Sequence, residues 1–447
     1  MLRQHVAAPI RTTARMAVPP RRHQSTQNPS TRHSALRGVC VTIWRMDVPR
    51  LDVSARFREL MSYDKLAGDV PRMLVMQSGY WLDAACLNAA KGLGWQVRAV
   101  PVQMKGVLKR ENIRDLLMAL GEFQPDFVLS INMSAMDVQG LFARLFEDIK
   151  VPYVTWFVDD PRTILVGRNL YASAYTVALT WEKAYIESLR ALGFPEVRYL
   201  PLAVDPTLFS RAPAESAEGP PAFVGHSMNC FATDEWRWAE DHPPTAQAVR
   251  AAFAAGRVTR QTFAQGLEAF LDAALLSVMD EDQRRHAELL TFVEGTRRLR
   301  RSLMEALEPE GVEVYGDEAW GAITARAKGF IDYEHDLAGH YNACAVNVNC
   351  TSIQMASAVN QRVFDCPAAG GFLITDSQAD LEELFDAEQE IVRYGSPEEC
   401  RALVAGYLRH PAARREMVLR ARARVLGEHT YARRLDAIVE IIRERFA

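Results

Sequence analysis

Two doubly wound α/β domains facing a cleft, the second carrying a helical insert, are the fold class that this 447-residue sequence predicts. Three observations predict it. Short apolar runs alternate with helical patterns from Arg72 onward, the alternation pauses near Pro206, and it resumes at Pro221. Between Ala246 and Leu307 the sequence turns almost wholly helical, with no strand candidate. The length is about three times that of a usual single domain, so more than one core is expected.

The elements follow in order. Arg72–Gly79 is a short apolar run ending in glycine, as a buried parallel strand does. Residues 82–93 are apolar at helical spacing and Trp95–Val102 reads as the next strand, which completes a βαβ unit. Helix Glu111–Gly121, strand Asp126–Asn132, helix Met136–Ile149 and strand Val151–Val158 repeat the pattern. Strand Ala174–Thr180, helix Trp181–Leu192 and strand Val197–Leu200 close the first domain. The second opens at Pro221–Gly225 and is interrupted by roughly three helices. Strands at Val312–Tyr315, Ala343–Asn349, Gly371–Thr375 and Glu390–Tyr394 then lead to helices at Pro397–Arg409, Ala412–Gly427 and Tyr431–Phe446. The expected domains are 39–205 and 206–430 (insert 226–306), with 431–447 a last helix returning to the first domain.

Composition narrows the classes. With 49% hydrophobic and 24% charged residues the chain is ordinary globular material, and no apolar run is long enough to cross a membrane. A net charge of −4 argues against a protein that coats nucleic acid. Residues 1–38 hold seven arginines and no acidic residue, so the rest carries −11. They read as a disordered basic tail, with a transit peptide or an early start codon as the competing readings. The seven cysteines are scattered, without a CxxC pair, so a reducing, cytoplasmic setting is expected. His335 and His340 are five apart and would not share a helix face, so no metal site is expected. There is no P-loop, and no GxGxxG follows the first strand, where the chain reads Gln77-Ser-Gly-Tyr-Trp81.

Chemistry concentrates between Tyr341 and Asp376, a strand, polar loop, helix, Gly-Gly turn and strand. Asn349, Thr351 and Ser352 fall at the strand end and helix start, where free N–H groups favour a phosphate. Arg362 and Asp365 are three apart and expected on one helix face. They read as a phosphate cation and a ribose carboxylate, or as a plain surface ion pair. Pro367 forces that helix to kink or restart. Asp159 and Asp160, at a buried strand end, are candidate general bases, although each singly suits a turn brace before Pro161. His226, after Gly225, is a candidate acid/base or a structural histidine. The basic run Arg297-Arg-Leu-Arg-Arg301 reads as one solvated helix face, with a contact to an acidic acceptor or to nucleotide phosphates as the alternative.

Arg362-Val-Phe-Asp365 followed by Gly370-Gly-Phe-Leu-Ile-Thr375 resembles the donor-binding domain of GT-B glycosyltransferases, specifically the CgeB-like group. Tyr153–Pro161, Tyr199–Pro206 and Phe223-Val-Gly225 resemble that group's first-domain strand end, its linker and the opening of its second domain. The resemblance spans roughly residues 72–446. It implies a nucleotide-diphosphate sugar donor, a protein or glycan acceptor on the first domain, and a cytoplasmic enzyme. It places Asp365 on the ribose, Gly225 at the diphosphate, Arg362 on phosphate and Gly316 beside the base. Many retaining relatives carry a second glutamate eight residues before the ribose-binding one, and here Ser357 stands there.

The leading expectation is a metal-independent transferase without a cofactor, its substrate an NDP-sugar and foremost a UDP-sugar. The alternatives are an NDP-sugar epimerase of the same fold and a non-catalytic binding module.

Overall fold

The computed structural model describes residues 50–101, 109–134, 136–165 and 173–446. The basic tail at 1–38 lies outside them. The chain divides into Met1–Val48 and Pro49–Ala447, and every described residue belongs to the second unit. Among the described residues, twelve strands form two six-stranded sheets, parallel throughout. The predicted α/β class is therefore present, each sheet at the centre of one lobe.

The first sheet contains β1 (Arg72–Gln77), β2 (Gln96–Pro101), β3 (Phe127–Ile131), β4 (Tyr153–Phe157), β5 (Thr176–Thr180) and β6 (Glu196–Tyr199), in the order 2-1-3-4-5-6. Its strands alternate faces with period two. Met73 and Val75 join the core between the lobes, whereas Leu74 and Met76 pack with Leu116, Phe142 and Phe146 on the opposite face. Both faces are buried, which explains the continuous apolar runs in the sequence.

The second sheet contains β7 (Ala222–Val224), β8 (Glu313–Tyr315), β9 (Ala327–Gly329), β10 (Asn347–Val348), β11 (Leu373–Asp376) and β12 (Val392–Tyr394), in the order 9-8-7-10-11-12. In each sheet the chain reverses its direction of strand addition once, between β1 and β3 and between β7 and β10. Such reversal points open a crevice at the carboxyl ends of the strands, where ligands of open α/β sheets bind.

Three expectations change. Edge strand β9 was not foreseen, because Ala-Lys-Gly has neither β-branched residues nor alternation. The insert is more broken than expected: Asn229–Glu240 is already helical, and four helices run from Pro243 to Leu307. Gly256 and Gly266, both at positive φ, separate the short helix Arg260–Gln265 from its neighbours. Helix Arg362–Ala368 neither kinks nor restarts at Pro367 but ends one residue later.

The lobes share one continuous core. The chain crosses between them at 201–206 and again at 429–431, and the crossings are bonded together by Val204 N–H to His429 O and Tyr431 N–H to Val204 O. Tyr431 packs edge-on against Trp81 and Trp156. The last helix, Tyr431–Phe446, lies on helix Trp81–Gly92 of the first lobe.

Candidate active site

At the second-lobe reversal point, Val224-Gly225-His226 leaves β7 beside Asn349, which follows β10. Arg362 bridges the two strand ends. Its Nη2 donates to Val224 O and its Nη1 to Asn349 Oδ1, while Nε is buried without a partner. Asn349 is held for this by Asn360 and by Thr375 Oγ1 at 2.9 Å. Gly316, at the end of β8, must be glycine, since a Cβ there would lie 2.2 Å from Gly225 O and 2.9 Å from the Trp320 indole nitrogen.

A second guanidinium joins from the insert. Arg300, in helix Glu281–Leu307, is only 9% exposed. Its one hydrogen bond goes to His226 O, and its Nε is buried and unpartnered. Neither Arg300 nor Arg362 is bonded to a carboxylate. Burial pulls the Arg300 pKa down to about 10, leaving it cationic at neutral pH. Arg300 is buried and Arg362 half-buried, and Arg300 feels Asp376 and Asp317 only through space, so an anion bonded to both guanidiniums would be strongly favoured.

The solvated-face reading of residues 297–301 is thus corrected at one position. Arg297 and Arg298 share Glu294 and Arg301 pairs with Glu305, whereas Arg300 turns inward. The missed signal was register: Val293, Thr296, Arg300, Leu303 and Leu307 form the buried stripe of the helix.

His226 is a neutral donor in this setting. Its Nδ1 accepts from Met228 N–H at 2.9 Å, so the proton sits on Nε2. Burial lowers its pKa, and Asp317, 3.3 Å from Nδ1, offsets only part of that. Asp317 is itself engaged by Ser227 through N–H at 2.5 Å and Oγ at 2.7 Å.

Thr351 and Ser352 do not begin a helix. The segment from 350 to 361 is irregular, and the helix starts only at Arg362. Asp376 takes both the N–H and the hydroxyl of Thr351, with Arg260 on the same carboxylate at 2.5 Å. The Ser352 hydroxyl is buried without a partner. At Thr351 the expected phosphate cradle is therefore occupied by Asp376, while the Ser352 hydroxyl is left without a partner among the described residues.

Arg362 and Asp365 also point apart. Asp365 is 1% exposed and accepts from Gln361 Nε2 at 2.8 Å and Tyr333 OH at 2.9 Å, inside the core between the lobes. Neither oxygen is open to a ribose. Burial raises its pKa to about 8, so the folded protein holds a proton there that an unfolded carboxyl (pKa about 3.9) releases. Folding stability should accordingly fall as pH rises from about 4 to 8, by at most about 1.4 kcal/mol per pH unit from this group. Asp365→Asn, with Tyr333 turned to accept, should gain on the parent over that range. Thermal unfolding of both at pH 5, 7 and 9 checks it.

At the first-lobe reversal point, Asp159 follows β4, Asn132 follows β3 and Tyr80 follows β1 by three residues. Asp159 Oδ2 accepts from Tyr80 OH at 2.5 Å and from Asn132 Nδ2 at 2.9 Å. Asn132 Oδ1 accepts from Val158 N–H at 2.8 Å, which fixes which way its amide faces. Gln354 of the second lobe lies near enough to Asp159 to favour its ionised form. Burial pushes the Asp159 pKa up. Asp160 is the brace that the sequence allowed for, accepting from Arg162 N–H at 2.9 Å and from its guanidinium at 2.6 Å.

Residues from the two lobes therefore meet at facing strand ends. Arg362, Gly225, His226, Gly316 and Asn349 come together at the strand ends of the second lobe, Asp159 stands with Tyr80 and Asn132 at those of the first, and Asp160, Thr351 and Asp365 are committed elsewhere. Tyr80, Asn132 and Gln354 were not foreseen, and Arg300 only as one member of a basic run. Among the described residues no group of three or more His, Cys, Asp or Glu is arranged to hold a metal ion, and no helix is long and apolar enough to cross a membrane.

Residues 283–440 match a family model described as glycosyl transferase-like. No curated protein sequence matches the chain. Similar solved structures include Anabaena HepE in complex with UDP and glucose, at 11% identity over 84% of this chain and 100% of that one, with a TM-score of 0.49. Sucrose-phosphate synthase from Thermosynechococcus elongatus shares 12% identity over 84% and 99% of the two chains, with a TM-score of 0.45. The DNA modifying enzyme β-glucosyltransferase, studied with and without uridine diphosphoglucose, shares 9% over 83% and 99%, with a TM-score of 0.47.

Proposed function

We propose that the chain is a glycosyltransferase of the GT-B architecture and the CgeB-like group, which moves a sugar from a nucleotide-diphosphate donor to a hydroxyl of a protein or glycan. The observation that carries this reading is the pair of guanidiniums at the β7/β10 reversal point, buried Arg300 and half-buried Arg362, neither of them bonded to a carboxylate among the described residues. A diphosphate supplies the missing anion, and the glycosyl transferase-like match includes both arginines.

The roles follow from the geometry. Gly316 and Gly225 let the β7 and β8 ends pack closely on Phe223 and Trp320, which sets the loop that carries His226, and His226 offers its Nε2–H to a phosphate oxygen. The acceptor hydroxyl oxygen bonds to the anomeric carbon as that carbon's bond to the diphosphate oxygen breaks. Asp159 takes the hydroxyl proton, and the two guanidiniums hold the charge that grows on the departing diphosphate. With two fixed cations at the leaving group, this reaction runs without a metal, and uridine is the proposed base.

The test is a thermal-shift panel of UDP, GDP, CMP, dTDP and ADP, with and without magnesium. A ligand at 100 times its Kd stabilises by about 2.7 kcal/mol. The expected result is a shift by one diphosphate, the same with and without magnesium. No shift with any of them overturns the donor reading.

A further inference from the structure

Opposite segment 350–361, one turn of the first lobe reaches across with the side chains of Glu182, Lys183 and Tyr185. After β5 the chain makes a single 3-10 turn, Lys183–Tyr185, before helix Ile186–Ala191. Glu182, which caps this turn, is completely buried. Its Oε1 accepts from Ala184 N–H at 3.0 Å and from Ser357 Oγ at 2.9 Å. Its Oε2 accepts from the consecutive amides of Ser357 and Ala358, both at 2.9 Å. Among the described residues no cation touches this carboxylate, and Lys183 turns instead to Asp380 and Glu383 at 3.2 and 2.6 Å. Tyr185 OH donates to Gln354 O at 3.0 Å.

From these contacts we infer that Glu182 is a positioning residue, whose carboxylate sets segment 350–361 only when the lobes are closed. This rests on the donor reading above. A buried carboxylate without a cation is tolerated only where its lone pairs are met, and three of its four donors belong to the other lobe. Closure in any other register strands the charge. The segment it holds runs from Asn349 to Arg362, the two ends of the guanidinium bridge, and carries Gln354 against Asp159. Glu182 thus registers the anion-binding arginine of one lobe against the candidate base of the other. It touches neither donor nor acceptor and acts through the loop.

The experiment compares the full chain with Glu182→Gln and Ser357→Ala. The glutamine is nearly isosteric, but it turns an amide NH2 toward N–H donors and loses two acceptances. Two readouts are taken: amide hydrogen exchange of residues 353–361, and UDP affinity by calorimetry. Glu182→Gln is expected to speed exchange in that segment at least tenfold, leave β1 and β3 unchanged, and weaken UDP at least tenfold. Ser357→Ala should move both readouts the same way by a smaller factor, and it decides the matter should Glu182→Gln not fold. Unchanged exchange overturns the clasp. Faster exchange with unchanged UDP affinity overturns its positioning role. If the parent chain itself binds no UDP, the uridine donor reading falls, and the exchange result alone decides whether the clasp exists.

Discussion

Arg300→Met and Arg362→Met should each weaken nucleoside diphosphate binding by about 10- to 100-fold, the loss of a charge-assisted hydrogen bond of about 1.5–3 kcal/mol. Calorimetry with UDP measures it. Both guanidiniums would hold the same anion, so the double variant should lose less than the product of the single losses. Arg300→Met carries a second, opposite expectation. Methionine fills similar space without charge, and among the described residues Arg300 has one hydrogen bond and no bonded carboxylate to forfeit, Asp376 and Asp317 acting on it only through space. The unliganded variant should therefore melt no lower than the parent. A structural arginine would behave the other way, with a lowered melting temperature and unchanged affinity. That pairing of retained stability with lost affinity is what separates an anion site from a buried brace.

The parts of this site that could be read from the sequence are those fixed by local pattern. β1 and β4 were readable because strands buried on both faces leave continuous apolar runs, and Arg72–Gly79 and Val151–Val158 show them. Asp159 and Asp160 could be placed at a strand end but not told apart. What separates them is Tyr80 and Asn132 for one and Arg162 for the other, and two of those three partners are distant in sequence. Thr351 misled because an irregular segment intervenes before the helix, and Asp376, brought in by β11, satisfies its amide. Arg300 lay within a run of arginines whose composition suggests solvent, while its register in the apolar stripe placed it inside. Glu182 and Ser357 are 175 residues apart, and nothing local to either announces the contact.

Asp159→Asn should lower turnover by about 10²- to 10⁴-fold, the usual worth of a general base, with little change in donor affinity. Release of UDP from a UDP-sugar, with water as the acceptor, is the readout that requires no knowledge of the natural acceptor. Asparagine preserves an oxygen for Tyr80 OH, so the change is confined to the proton acceptor. The pH profile gives an independent check. Burial raises the Asp159 pKa above the usual carboxyl value of about 3.9, and a base works only when ionised. Turnover should therefore climb as pH rises through that raised pKa and then level off. His226 also needs its neutral form for its proposed role and would give a rising limb through its own lowered pKa, so the limb is assigned by comparison with Asp159→Asn. In Asp159→Asn the residual rate should lose the rising limb. If the limb persists in the variant, the proton goes to another group and Asp159 is a brace like its neighbour.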